Sequence, residues 1–165
     1  MTEPRWLDRQ EREAWMALAA MMFTLPAALD SQLQRDEDLT LAGYMVLAML
    51  SESAEKQMRM TELAAAASTS QSRLSRIVSR LEQQGLVTRA MAAEDRRAVL
   101  AHLTDAGMAK IVAAAPGHVE AVRSVVFDRL DRDQVAQLAA IAQAVLGGSC
   151  VQYGQESAPT ASQPA

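Results

Sequence analysis

The sequence contains a single cysteine, Cys150, among 165 residues. One cysteine cannot form an internal disulfide, and no CxxC pair or Cys/His cluster with the spacing of a zinc site is present. There are two histidines, His102 and His118, and no paired acid–base or nucleophile constellation. These absences argue against an enzyme or a metal site, so we expect no catalytic residues, no metal and no cofactor.

Aromatic residues are also scarce, at 4% of the chain, whereas half of the residues are hydrophobic. The apolar set is dominated by Ala, Leu, Val and Met, which favours helices over sheets. The first ten residues, MTEPRWLDRQ, lack the basic and apolar regions of a signal peptide. Every apolar stretch is interrupted short of a membrane span. We therefore expect a cytoplasmic protein with no membrane partner.

The net charge is -4, which argues against indiscriminate binding to polyanions. Residues 70–97 nevertheless contain six arginines and three acids, a net charge of +3, and the remainder carries -7. One basic surface on an acidic protein is typical of a specific nucleic-acid binder.

Helical periodicity and end signals divide the chain into segments. The predicted helices are 3–35, 41–52 after a Thr40 cap, 61–67, 71–84, 105–129 after a Thr104 cap, and one that starts after Asp131 and stops at Gly147. Pro26 predicts a kink or break, and Pro116 with Gly117 predicts an interruption and a bend. Short strands are expected at 58–60, 86–90 and 98–103. Residues 148–165 are expected to be a disordered tail.

The 105–129 helix has apolar residues at spacings of four and three. They are Met108, Val112, Ala115, Val119, Val122 and Val126. This heptad pattern predicts a helix packed lengthwise on another helix. The last helix has an apolar side that includes Leu138 and Ile141.

The 71–84 helix has one apolar side and one polar side at 100° per residue. The apolar side consists of Leu74, Ile77, Val78 and Leu81, and the polar side consists of Ser72, Arg73, Ser75, Arg76, Ser79, Arg80 and Gln83. Small residues let a helix approach a groove floor, and arginines reach phosphates or guanine edges. Ser70 caps the helix, so the free amides beside Gln71 suit a phosphate. The sequence indicates a DNA-recognition helix.

The alternative interpretation is an ordinary amphipathic surface helix with solvated arginines. Two features favour DNA binding over that alternative. The arginines have no lysine or glutamate partner at i+4, so the usual surface ion pairing is missing. The Ser-Thr-Ser turn after an alanine-rich helix also fits a helix-turn-helix crossing.

The segment AAEDRRA joins the second and third predicted strands and, taken alone, suits a polar hairpin turn. Beside a recognition helix, its Arg96 and Arg97 could enter the minor groove, where negative potential attracts arginine. Asp95 would be repelled by phosphate, so we expect it to pair with an arginine and hold the tip rigid.

These motifs resemble the MarR family of winged helix-turn-helix regulators. The resemblance rests on YMVLAML at 44–50, MTELA at 60–64, SQSRLSRIVSRLEQQGLV at 70–87, EDRRAVLAHLTDAG at 94–107 and LDRDQVAQLAAI at 130–141. It implies a mostly α fold with a small β wing, in which a winged helix-turn-helix DNA-binding lobe (36–103) lies beside a helical dimerisation region (1–35 and 104–147). It also implies a homodimer that binds double-stranded DNA at a pseudo-palindromic operator, with Arg97 in the minor groove. The expected dimer interface consists of Val112, Ala115, Val119, Val122, Val126, Leu138 and Ile141.

Signal recognition by this chain is a separate question. Many proteins of the family respond to small aromatic acids or oxidants, but Cys150 has no neighbouring base to activate its thiol. A methionine-rich cavity between the two regions could bind a small apolar or phenolic effector. Its candidate lining residues are Trp15, Met22, Phe23, Tyr44 and His118, and ordinary packing is the alternative role for each. The leading hypothesis is a transcriptional repressor; the alternative is a stress- or small-molecule-sensing module with secondary DNA binding.

Overall fold

A computed structural model describes residues 3–92, 95 and 98–147. The predictions for Arg96, Arg97, Cys150 and the tail at 148–165 lie outside the described residues. Within them, six α-helices and a three-stranded sheet confirm a mostly α fold with a small β wing. The helices are α1 (Arg9–Glu37), α2 (Leu41–Glu52), α3 (Met60–Ala66), α4 (Gln71–Gln83), α5 (Asp105–Val125) and α6 (Arg132–Val145). The strands are β1 (Gln57–Arg59), β2 (Val87–Met91) and β3 (Val99–Leu103).

The predicted capping residues begin their helices as expected. Thr40 accepts a hydrogen bond from the Gly43 amide at 3.0 Å, and Thr104 accepts one from the Gly107 amide at 3.0 Å. Asp131 and Gln134 form a reciprocal capping box at the start of α6. The α5 helix ends at Val125, four residues before the predicted end, and a 3₁₀ turn occupies Phe127–Arg129.

Of the kink or break predicted at Pro26, the break is wrong, because α1 continues through Pro26 to Glu37. A proline removes one hydrogen bond to the carbonyl four residues earlier, here that of Met22. The other turns remain, and a capping box between Asp8 and Glu11 stabilises the start of the helix. The α5 helix likewise runs through Pro116, so the predicted interruption there is also wrong.

The core lies where the C-terminal end of α1 meets α2, the helix pair α3–α4 and strand β2. Its fully buried side chains include Leu33, Leu47, Leu50, Leu63, Leu74, Val78 and Val87. Most of α1 lies outside this core, and Phe23 is 77% exposed. By length and composition α1 could cross a membrane, so the expectation that every apolar stretch falls short of a span is wrong.

The sheet has the strand order β1–β3–β2, with both pairs antiparallel. Gly107 allows the first turn of α5 to lie against the base of this sheet. A Cβ atom at Gly107 would lie 2.1 Å from the Leu86 carbonyl oxygen and 2.6 Å from Leu103 Cδ1. Thr104 Oγ1 also donates a hydrogen bond to the Gly85 carbonyl at 2.8 Å. These contacts join the start of α5 to the turn between α4 and β2 and to the end of β3.

Candidate nucleic-acid interface

The α4 helix has the two sides that its sequence predicts. Leu74, Val78 and Leu81 are buried against the core, and Ile77 is half-buried. The opposite side is exposed at Gln71, Ser72, Arg73, Arg76 and Arg80, and half-buried at Ser75 and Ser79. The candidate DNA-binding residues on this helix therefore lie together on one solvent-facing side.

The N-terminus of α4 is well defined. Ser70 has an extended backbone, and its Oγ accepts a hydrogen bond from the Arg73 amide at 3.3 Å. This bond leaves the amides of Gln71 and Ser72 at the positive end of the helix, where an anion is favoured. A tight turn precedes the cap, because the Thr69 amide donates to the Ala64 carbonyl at 3.0 Å. These contacts hold α3 and α4 as a compact helix-turn-helix.

The arginines of α4 differ in their partners. Within the described residues, Arg73 and Arg76 have no ion-pair partner. Arg80 lies 4.0 Å from the Asp38 carboxylate, and both side chains are more than half exposed. A pair this exposed contributes little to stability. All three guanidinium groups are therefore accessible to an external anion.

An ion pair that the sequence analysis missed joins α4 to the sheet. Arg89 on β2 donates to Glu82 Oε2 from Nη2 at 2.6 Å and from Nε at 3.1 Å. The same Nη2 donates to Ser79 Oγ at 3.1 Å. The hydrogen bond from Arg89 lowers the pKa of Glu82 from its usual value. No i+4 spacing reveals this pair, because its arginine lies on a strand that only the fold brings close.

The hairpin between β2 and β3 is closed by backbone bonds. The Ala92 amide donates to the Ala98 carbonyl, and the Ala98 amide donates to the Asp95 carbonyl, both at 2.9 Å. Asp95 is exposed at this tip. Its pairing with an arginine stays a prediction, and the structure does not describe Arg96 and Arg97.

The candidate dimer residues lie outside the core of the subunit. Val112 is 65% exposed, Val119 55% and Ile141 61%. The other members, Ala115, Val122, Val126 and Leu138, are half-buried. Val112 and Val119 lie seven residues apart on α5 and therefore on one side of it, and large exposed apolar side chains grouped in this way are typical of a surface that another molecule covers.

The five candidate pocket residues do not form one cavity within the subunit. The rings of Tyr44 and His118 are in contact, whereas Trp15, Met22 and Phe23 are at least half exposed on α1. A cavity of about 640 Å³ lies elsewhere, between α1, α2 and the helix-turn-helix. Its walls include Asp30, Met45, Met49, Arg73 and Ile77. Within the described residues, no group of three or more His, Cys, Asp or Glu side chains could hold a metal.

Comparisons with known proteins agree with this geometry. Residues 37–98 match the model of the MarR family. A MarR family transcriptional regulator from Streptomyces coelicolor, solved in complex with DNA, is 43% identical; the alignment covers 88% of this chain and 91% of that one, with a TM-score of 0.85. AbsC, also a MarR family regulator from S. coelicolor, is 36% identical over 87% of this chain and 99% of its own, with a TM-score of 0.79.

A third solved structure shares the fold at lower identity. CouR from Rhodococcus jostii, bound to p-coumaroyl-CoA, is 24% identical over 81% of this chain and 91% of its own, with a TM-score of 0.70. A search of curated proteins returned no match.

Proposed function

Because the chain belongs to the MarR family of DNA-binding winged helix-turn-helix transcriptional regulators, we propose that it is a cytoplasmic repressor that binds a pseudo-palindromic operator as a homodimer. One observation carries the proposal: Arg73 and Arg76 are exposed and, within the described residues, free of ion-pair partners on the same side of α4. Unpaired arginines on a helix with small neighbours suit contact with phosphates and base edges.

In this proposal α4 enters the major groove and the β2–β3 hairpin reaches the adjacent minor groove. The N-terminal turn of α4, from Ser70 to Arg73, meets a phosphate through its free amides. Ser75, Arg76 and Arg80 follow along the groove. We propose that Arg96 and Arg97 contact the minor groove and that Asp95 holds the hairpin tip.

The proposed homodimer covers the exposed apolar sides of α1, α5 and α6. Trp15 on α1, Val119 on α5 and Ile141 on α6 are each at least half exposed in the single subunit. Burial of such side chains favours association through the hydrophobic effect. A second subunit also explains why α1 is apolar enough for a membrane although its apolar stretch is not buried in the single subunit.

Genomic footprinting with the purified full chain would return the operator and the neighbouring genes. Binding to that duplex, measured by fluorescence anisotropy, should require two inverted half-sites about one helical turn apart. With roughly eight phosphate contacts, log K should fall against log salt with a slope near -7. A duplex with one half-site scrambled is the matched control. Salt-insensitive binding that ignores sequence would contradict the proposal.

The repressor is proposed to release DNA when a small apolar or phenolic ligand binds. The cavity of about 640 Å³ supports this step, because it has methionine walls and includes Arg73 of α4. A ligand there would contact the first turn of the recognition helix directly. The similarity to CouR supports only a shared fold, so the proposed ligand class is based on the cavity alone.

A ligand screen can test this step with phenol and small aromatic acids as probes. A bound probe should raise the Tm of the protein and lower its affinity for the operator. Ala42→Phe places a large side chain in the cavity and should abolish both effects. Ala65→Phe, on the exposed side of α3, should leave both effects unchanged. If Ala42→Phe responds like the wild type, the ligand does not bind in this cavity.

A further inference from the structure

Glu82 is the only acidic residue of α4, and its side chain faces strand β2. Its carboxylate is paired with Arg89, which also bonds to Ser79 one turn earlier in the helix. The side chains of Arg89 and Glu82 are 31% and 36% exposed. The three residues therefore form a surface network across the gap between the recognition helix and the wing.

The inference that follows rests on the proposed function, which gives this gap a defined position on the DNA. The major and minor grooves of a duplex are separated by a phosphodiester backbone. With α4 in one groove and the hairpin in the next, that backbone must pass over the gap between them. The carboxylate of Glu82 then lies beside phosphates, and like charges so placed weaken binding.

We propose that Arg89 is a positioning residue that makes this gap compatible with the DNA backbone without contacting a phosphate itself. Its positive charge cancels the charge of Glu82. Its bond to Ser79 Oγ occupies an acceptor site, so the hydroxyl hydrogen of Ser79 is free to donate to a phosphate. Arg73 and Arg76, which have no ion-pair partner among the described residues, bind the DNA directly.

A double-mutant cycle tests this assignment by anisotropy with the full chain and its footprinted operator. Arg89→Gln leaves Glu82 unpaired and should weaken operator binding by roughly tenfold. Glu82→Gln should bind at least as tightly as the wild type, since no negative charge remains to be screened. The double variant Glu82→Gln/Arg89→Gln should recover to within about threefold of the wild type, because the two residues are coupled.

Recovery of operator binding in the double variant distinguishes this role from direct DNA contact and from support of the fold. If the double variant binds as weakly as Arg89→Gln, then Arg89 contacts the DNA or supports the fold, and the proposal is overturned. Normal binding by Arg89→Gln would also overturn it. Arg9→Gln is the matched control, because Arg9 pairs with Glu13 at 3.0 Å on α1 and its loss changes the net charge equally. Failure of the wild type to bind any operator would instead refute the proposed function.

Discussion

The ring of His118 on α5 lies against the ring of Tyr44 on α2, with ring centroids 4.3 Å apart and planes inclined by 44°. Burial lowers the pKa of His118 below its usual 6.5. Burial, and then the nearby charge of Glu52, raise the pKa of Tyr44. The Nδ1 atom of His118 is buried and has no hydrogen-bond partner among the described residues. Both rings are therefore stabilised in their neutral forms.

The free energy of unfolding should consequently depend on pH through His118. Between the unfolded pKa of about 6.5 and the lower folded pKa, the unfolded state binds the proton more readily. Stability from this group is complete above 6.5 and declines as the pH falls from that value through the folded pKa. Urea unfolding at several pH values between about 5 and 8 would measure the decline.

His118→Phe keeps an apolar ring beside Tyr44 but cannot bind a proton. The variant should lose less stability than the wild type over the same acid range. Equal losses in the two proteins would show that other groups account for the pH dependence.

Arg97→Ala should weaken operator binding by about tenfold, equivalent to roughly 1.4 kcal/mol. The reason is the loss of an arginine from the negative potential of the minor groove. The Tm should change little, because the core of the described residues is formed by other segments of the chain. Arg5→Ala, in the exposed segment before α1, is the control for net charge. An Arg97→Ala protein that binds normally would refute the minor-groove role.

Val119→Asp should reduce dimerisation and operator affinity together. Val119 is 55% exposed in the single subunit, so the change should disturb the subunit fold little. A carboxylate buried without a partner in an interface costs several kcal/mol. Sedimentation velocity and anisotropy would measure the two losses. Ala113→Asp, exposed on another side of α5, is the matched control. A monomeric variant with unchanged affinity would contradict the proposed interface.

Gly107→Ala should destabilise the protein by about 3 kcal/mol, at the upper end of overpacking costs. The new Cβ would lie 2.1 Å from the Leu86 carbonyl oxygen, so either the wing base or α5 must move. Gly117→Ala in the same helix meets its nearest neighbour, Gln32 Nε2, at an ordinary 3.4 Å. It should be neutral or stabilise by about 0.5–1 kcal/mol. Thermal unfolding of both variants checks the contrast, and equal Tm values would contradict it.

The amino-acid sequence alone determined the elements whose causes are local. Thr40, Thr104 and Asp131 begin helices because each side chain bonds to an amide three residues ahead. The two sides of α4 follow from the spacing of Leu74, Val78 and Leu81. These signals act within a turn or two of chain, so they can be seen without the fold.

Tertiary structure decided the features that join distant parts of the chain. Packing and the remaining hydrogen bonds carry α1 past Pro26, although local preference favours a break there. The fold also forms the cavity beside Arg73. It brings Arg89 on β2 into contact with Glu82, which lies seven residues earlier on α4. Such contacts depend on how helices and strands meet in space, and neither periodicity nor i+4 spacing contains that information.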